Sequence, residues 1–352
     1  MVDSRFWKDK KVFLTGHTGF KGGWLSLWLE KMGAEVLGFS LEPTSSPNLF
    51  TEAKIGKKVS SVIGDIRNKD LLHKSMSDFQ PEIILHMAAQ PLVRQSYIDP
   101  VATYETNVIG TVNLLESARL TDGVKTIVNI TTDKCYENNE WVWGYRENEK
   151  LGGYDPYSSS KACSELVTSA YRRSFFTDSD TFLATARAGN VIGGGDWSTD
   201  RLIPDILRSF SVGEKVKIRN PKAVRPWQHV LEPLSGYLIL AQKLFNQGDK
   251  YEGAWNFGPH DLDAKPVEWI VKKISNDWGS ECIWEIDSGN HPHEANYLKL
   301  DISNAESKLL WSPKWSLEES ISNIISWHKN WLNNKDASEL CLEQIDQFIQ
   351  KN

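Results

Sequence analysis

The feature that most constrains this chain is a glycine turn set between an apolar strand and a helix. Residues 11–15 (Lys-Val-Phe-Leu-Thr) read as a buried strand, and Gly16-His17-Thr18-Gly19-Phe20-Lys21-Gly22 follows at once. Residues 20–33 then read as a helix. Trp24, Leu25, Trp28, Leu29 and Met32 share one face, and Gly33 stops it. The glycine spacing is GxxGxxG. Gly16 suits the positive φ of a tight turn, Gly19 lets the backbone approach a pyrophosphate, and Gly22 lets the helix pack on the sheet. The helix N-terminus adds free N–H groups and a partial positive charge. A tight βα turn without a ligand is the plain alternative. The strand–turn–helix setting favours a dinucleotide.

The pattern repeats. Strands are predicted at 35–39, 59–63, 82–86 and 126–130, with a helix over 107–119. Such alternation implies a Rossmann-type α/β fold, a doubly wound parallel sheet covered on both faces. The second half is less regular. Helices are predicted at 157–175, 202–210, 232–246, 317–332 and 338–349. A strand is predicted at 181–186, a glycine loop at 193–196, a short run at 215–219, and strand-like segments at 282–286 and 296–300. No Pro/Gly/Ser linker separates the halves. The expected division is a dinucleotide-binding domain over 1–190, with 230–260 returning to it. A smaller substrate lobe is expected from 191–229 and 261–352.

Composition excludes some classes. The 352 residues carry a net charge of -6, whereas a general nucleic-acid binder is usually basic. No apolar run approaches the roughly 18 residues of a membrane helix. The first eleven residues are polar and charged, unlike a signal peptide, so a cytoplasmic protein is expected. Cys135, Cys163, Cys282 and Cys341 are far apart with no CxxC pair, which suggests neither zinc nor a disulfide framework. His291, His293 and Glu294 have no third ligand at matching spacing, so no metal is expected. Fifteen tryptophans stand out, and composition alone does not divide them between core and pocket.

Chemistry concentrates in a few places. The second strand is followed by Ser40-Leu41-Glu42, with no Arg for a 2′-phosphate, which favours NAD over NADP. Asp65, before Ile66, is placed either to accept from an adenine amino group or to cap the next helix. Tyr157 and Lys161 stand four residues apart on one helix face. An ammonium there lowers a phenol's pKa, making Tyr157 a base for a sugar hydroxyl, with Lys161 holding a nicotinamide ribose. YxxxK also occurs on plain surface helices. Here it follows a glycine-turn domain and Thr131-Thr132-Asp133-Lys134 at the end of the fifth strand, where such sheets bind ligands.

Residues 15–22, Asp65-Ile66, His86-Met87-Ala88-Ala89-Gln90, Asn107, Thr132, Tyr157, Lys161 and Asn256-Phe257-Gly258-Pro259 together resemble the extended short-chain dehydrogenase/reductase family over nearly the whole chain. With Thr132-Asp133-Lys134, the loop at 193–197 and Arg225-Pro226-Trp227-Gln228-His229-Val230, the chain is most similar to that family's nucleotide-sugar 4,6-dehydratases. The resemblance implies NAD held by Gly16, Thr18, Gly19, Phe20, Gly22, Asp65, Ile66, Ala88, Ala89, Gln90, Tyr157 and Lys161. It implies CDP-glucose as substrate: oxidation at C4, loss of water across C5 and C6, then hydride return to C6. It further implies a deoxysugar product for a surface polysaccharide. A homodimer or dimer of dimers would pair helices 107–119 and 157–175.

One departure matters. Many such dehydratases carry Asp-Glu after the Thr, and this chain has Asp133-Lys134. Asp133 serves as the acid if burial keeps it protonated. Lys134 is the C5 base if neutral, an enolate stabiliser if charged, or simply a solvated loop charge. For the diphosphate, Arg219 and Arg225 lead, then Arg187 and Arg201, with Asn190 near sugar or phosphate. His229, a lone histidine, reads as structural. Two other readings stay open. A UDP-sugar 4-epimerase of the same family needs Thr132, Tyr157 and Lys161 but not Asp133-Lys134. A non-catalytic NAD-sensing protein has no need of the Tyr/Lys pair.

Overall fold

The computed structural model describes residues 1–279, 284–287, 289 and 297–351. Seven strands form one parallel sheet: β1 (Lys11–Thr15), β2 (Glu35–Ser40), β3 (Ser60–Ile63), β4 (Ile83–His86), β5 (Thr126–Ile130), β6 (Phe182–Ala188) and β7 (Gly253–Phe257). Their spatial order is β7-β6-β5-β4-β1-β2-β3, and every pairing is parallel. The chain reverses direction across the sheet between β1 and β4, where such sheets open a ligand crevice.

Strand periodicity builds two cores. Val12 and Leu14 face one side with Ile83, Leu85, Val128 and Ile130, while Phe13 faces the other with Ile84 and Ile127. Helix α1 (Phe20–Lys31) covers the first side through Trp24 and Trp28. Helices α2 (Lys69–Phe79) and α3 (Gly110–Arg119) cover the second through Leu72, Met76, Leu114 and Leu115. Helix α4 (Pro156–Phe175) joins them on that second side. A separate core lies in the second lobe. It unites α5 (Leu202–Ser211), the short strand Val216–Ile218, α7 (Val267–Trp278) and α8 (Leu317–Leu332). Helix α6 (Leu231–Gln247) packs on the sheet beside α1 through Leu234 and Leu238.

Some elements differ from expectation. Neither β7 nor α7 is among the predicted elements: β7 is only five residues and includes a polar Asn256, whereas α7 does place Val267, Ile270, Val271 and Ile274 at helical spacing. Of the segment expected at 282–286, Trp284–Ile286 is a strand paired with Val216–Ile218, and residues 280–283 lie outside the described residues. From 297 to 300 there is no continuous strand; Tyr297 and Leu300 make single bridges to Val224 and Tyr145. The final helix α9 (Ala337–Gln350) lies against α1, with Phe348 edge-on to Trp28 and Asp346 2.9 Å from Lys31. Thus the tail of the chain contacts the dinucleotide half as well as the second lobe.

Candidate active site

A cleft of about 770 Å³ runs along the carboxyl ends of the strands, between the sheet and the second lobe. Its floor is the glycine turn. Gly16 has φ +79°, and a Cβ there would stand 2.9 Å from the Ala88 backbone. A Cβ on Gly22 would lie 2.0 Å from the Gly16 carbonyl, so the turn and the helix touch only because Gly22 has no side chain. Gly19 caps α1 without any side-chain bond. The Thr15 hydroxyl accepts from Met87 and Ala88 N–H, both at 3.0 Å, and so ties the end of β4 to this turn.

Gly16, Thr18, Gly19, Phe20, Gly22, Asp65, Ile66, Ala88 and Ala89 all line the cleft. The Thr18 hydroxyl donates to the Leu41 carbonyl at 2.8 Å and bonds Ser40, fixing the turn against the end of β2. Asp65 does not cap α2. Asn68 does, accepting from Leu71 N–H at 3.1 Å, because it stands directly before the helix. Asp65 instead pairs with Arg67 at 2.6 Å, and the Arg67 bonds hold its carboxyl below the usual range despite partial burial. Gln90 departs from its expected place. It is not among the lining residues; its amide bonds Thr103 and Leu92, and its backbone is held by Asn107. These donors and glycines fit a dinucleotide: an uncapped helix start, close backbone, and small residues along the β4 end.

The chemical groups sit at the end of β5. Asp155 caps α4, accepting from Ser158 N–H at 2.9 Å, and Pro156 opens the helix. Tyr157 therefore lies in the first turn and Lys161 one turn on. Thr132, Asp133, Lys134, Tyr157 and Lys161 all line the cleft. Thr132 bonds the Tyr157 phenol and donates to Asp133 Oδ1 at 3.0 Å. Asp133 is buried, its Oδ2 has no partner, and burial raises its pKa. Lys161 is also buried. Its Nζ donates to the Ile130 carbonyl at 2.9 Å, and burial pulls its pKa down to about 8.

One electrostatic expectation is overturned. The Tyr157 phenol is not lowered toward neutrality by Lys161; burial pushes it up to about 12, only partly offset by the Thr132 bond. Desolvation of the phenolate outweighs a lysine already engaged by a carbonyl.

The cationic side of the cleft comes from the second lobe. Asn190, Arg201, Arg219 and Arg225 line it. Arg201 pairs with Asp196 at 3.3 Å, Arg219 donates to the Asp200 carbonyl at 3.3 Å, and buried Arg225 donates to the Val224 carbonyl at 3.0 Å. Arg187 does not belong to this set. It is buried behind the cleft against Glu165 at 2.8 Å, because β6 brings it under α4. His229 is buried between Trp24 and Trp315 and accepts from Leu231 N–H, a structural place. His291, His293 and Glu294 lie outside the described residues.

Two lining residues carry no separate sequence signal. Lys21, inside the glycine turn, donates to the Tyr237 phenol at 3.3 Å. Burial, with Lys161 and Arg201 nearby, pushes it down to about 7 against the pull of Asp133. Arg94, after β4, reaches Asp200 at 2.8 Å across the cleft mouth. A lysine within a glycine motif and an arginine in a connecting loop are ordinary in sequence; only the fold aims them at one cavity.

Comparison with known proteins agrees with this geometry. Residues 13–324 match the family model described as GDP-mannose 4,6 dehydratase. The chain is 57% identical, over 99% of both sequences, to a CDP-glucose 4,6-dehydratase of Salmonella typhimurium. Its fold superposes on the dTDP-glucose 4,6-dehydratase DesIV of Streptomyces venezuelae, solved with NAD and TYD bound, at a TM-score of 0.78 and 21% identity, covering 93% of this chain and 99% of that one. It also superposes on a UDP-glucose 4-epimerase of Thermotoga maritima at 0.80 and 22% identity, covering 92% and 99%. The chain belongs to the GDP-mannose 4,6 dehydratase family.

Proposed function

We propose that this protein is an NAD-dependent CDP-glucose 4,6-dehydratase, forming CDP-4-dehydro-6-deoxy-D-glucose. The observation that carries the reading beyond its relatives is Asp133: a buried carboxyl with a free oxygen, bonded to the threonine that also holds Tyr157. A protonated acid beside the C4 base is what loss of the C6 hydroxyl requires, and C4 epimerisation does not need it. The 57%-identical relative supports both the reaction and the base.

NAD would be held by the turn from Gly16 to Gly22 with Asp65, Ile66, Ala88 and Ala89, and would supply a hydride acceptor for C4 and a hydride donor for C6. The chain's own residues move the protons. Tyr157 takes the C4 hydroxyl proton, with Thr132 holding the phenol and Lys161, one turn along the helix, placed to hold the nicotinamide ribose. The ketone at C4 acidifies the C5 hydrogen; Lys134, as the neutral amine, takes that proton and returns it to C5 as hydride enters C6. Asp133 gives its proton to the departing C6 hydroxyl, and water leaves. Arg219 and Arg225 take the diphosphate, with Arg201 and Asn190 beside it.

The same reading makes the enzyme cytoplasmic and a homodimer or a dimer of dimers. Ile98, Val101, Tyr104, Ile109 and Leu166 leave apolar side chains exposed along the helices that precede α3 and on α4. A two-fold contact would cover them. Light scattering on the purified protein tests this, and a monomer at micromolar concentration refutes it.

The function is tested by incubating the protein with CDP-, dTDP-, UDP- and GDP-glucose, with and without NAD, and following product mass. Loss of one water from the CDP sugar alone supports the proposal. Interconversion of UDP-glucose with its C4 epimer, without dehydration, replaces it with the epimerase reading. NAD binding without turnover of any sugar revives the sensor reading.

A further inference from the structure

Behind the cleft lies a buried ionic network that the reaction above does not use. Glu165 stands one turn beyond Lys161 on α4 and is 4% exposed. Its carboxylate accepts four bonds from three residues, one just past the end of β5 and two on β6. The Thr131 hydroxyl donates to Oε1, and the Thr185 hydroxyl to Oε2 at 2.7 Å. Arg187 closes the set, Nε to Oε1 at 3.0 Å and Nη2 to Oε2 at 2.8 Å. Arg187 is itself 3% exposed and continues the chain of bonds. Its Nη1 donates to the Tyr136 phenol at 2.8 Å and to the Glu147 carbonyl at 3.0 Å. Tyr136 then donates to Asn256 on β7 at 2.7 Å.

The placement is functional in its consequences. Thr131 immediately precedes Thr132 and Asp133, so the bond from Thr131 fixes the strand end that presents both. Lys161 leaves the same helix face as Glu165. We propose that Glu165, clamped by Arg187, is the positioning residue of this site: it sets α4 against β5 and β6 and places a fixed anion one helical turn from Lys161. The inference rests on the role given to Lys161 in the proposed reaction.

The electrostatics agree. Burial raises the Glu165 carboxyl, but Arg187 and the two threonines outweigh it, so Glu165 stays ionised. Burial pulls Lys161 down, and Glu165 is the foremost group opposing that pull. The other titratable groups near Lys161 are Tyr157 one turn earlier on α4, the Cys135 thiol beyond β5, Lys21 on α1 and His86 on β4. Burial holds Cys135, His86 and Tyr157 neutral at ordinary pH, and Lys21, pushed down to about 7, is a like charge only below that pH. Among these groups only Glu165 supplies an anion.

The test compares Glu165→Gln, Glu165→Asp and the double variant Glu165→Gln/Arg187→Met. The double variant removes both members of the pair, so no unpaired buried charge is left to prevent folding. Two readouts are taken across pH 6–10: kcat for CDP-glucose, and NAD affinity from quenching of tryptophan fluorescence. The neutral variants are expected to lose activity and NAD affinity at a pH lower than wild type by on the order of one unit. Glu165→Asp is expected to keep the wild-type pH midpoint while kcat falls. Neutral variants that lose stability or rate but keep the wild-type midpoint in both readouts overturn the inference. If the wild type itself dehydrates no sugar, the proposed reaction fails instead. The NAD midpoint then still decides the link between Glu165 and Lys161.

Discussion

The Asp133 carboxyl lies directly over Gly189, so closely that a Cβ on residue 189 would stand 2.1 Å from Oδ2. The absence of a side chain at the end of β6 thus makes room for the acid at the end of β5. Gly189→Ala is expected to push Asp133 out of line and to lower kcat by about 10²-fold, while NAD affinity changes little. Asp133→Asn removes the proton donor without the clash and is expected to fall by about 10²–10⁴ in dehydration rate. Single-turnover assays of C4 oxidation, read as NADH absorbance, should remain positive in Asp133→Asn. Their loss would show that Asp133 acts earlier than the elimination.

The pH profile follows from Lys161. Burial lowers its pKa to about 8, so the ammonium is present below that pH and lost above it. Activity is expected to decline on the alkaline side with a midpoint near pH 8. Lys161→Met should lower kcat at every pH by about 10² or more and remove that limb. Steady-state rates in overlapping buffers between pH 6 and 10 provide the check.

Stability has its own pH dependence through Glu232. This buried carboxylate on α6 accepts from the Lys314 N–H and, at 2.7 Å, from the Trp315 N–H. Burial raises its pKa from 4.5 to about 7 despite those bonds. A carboxyl whose folded pKa is raised gives stability that is complete below pH 4.5 and lost as pH rises through 7. Glu232→Gln cannot ionise. Its melting temperature should therefore fall less between pH 5 and 7.5 than that of the wild type, by about 2 °C or more. Differential scanning calorimetry at both pH values would detect this, and parallel curves would contradict it.

In the proposed reaction the arginines of the second lobe hold the substrate and leave NAD untouched. Arg219→Ala and Arg225→Ala are each expected to raise KM for CDP-glucose by about 10-fold or more, the worth of a charge-assisted bond. NAD affinity should stay within twofold. Isothermal titration with CDP and with NAD separates the two effects.

The glycine turn offers a structural control. A methyl group on residue 22 would meet the Gly16 carbonyl at 2.0 Å, with backbone on both sides and nothing flexible to yield. Gly22→Ala should cost about 2 kcal/mol in a denaturant titration and abolish detectable NAD binding. Retention of binding would mean that α1 can move without opening the site.

How much of this was legible beforehand depends on the reach of the interactions. β1, the glycine turn and α1 are adjacent in sequence, and their apolar spacing alone specifies them. The YxxxK pair is local to one helix, and Asp155 with Pro156 fixes where that helix starts. Arg187 is the opposite case. Its partner Glu165 is on another element, and only the register of β6 beneath α4 brings them together. Read alone, a basic residue at a strand end looks like a phosphate ligand. Asp65 failed as a helix cap for a simpler reason: Asn68 stands nearer the helix and captures the free N–H. Tyr157 shows the limit of pairwise electrostatics. Four-residue spacing reveals an ammonium close to a phenol but says nothing of how dry the phenol becomes, and burial decides the sign.

The placement of β7 beside β6 has a consequence for how this molecule can be made or cut. The outer edge of β6 finds its hydrogen-bonding partner only when residues 253–257 arrive, long after the other six strands exist. A nascent chain shorter than that leaves the ribosome with a bare, apolar strand edge, the kind of surface that recruits chaperones or other copies. A fragment ended near residue 190 would carry every residue proposed to hold NAD and still be a poor reagent. A split version of the enzyme would have to be divided elsewhere, with residues 253–257 supplied by the same piece as β6.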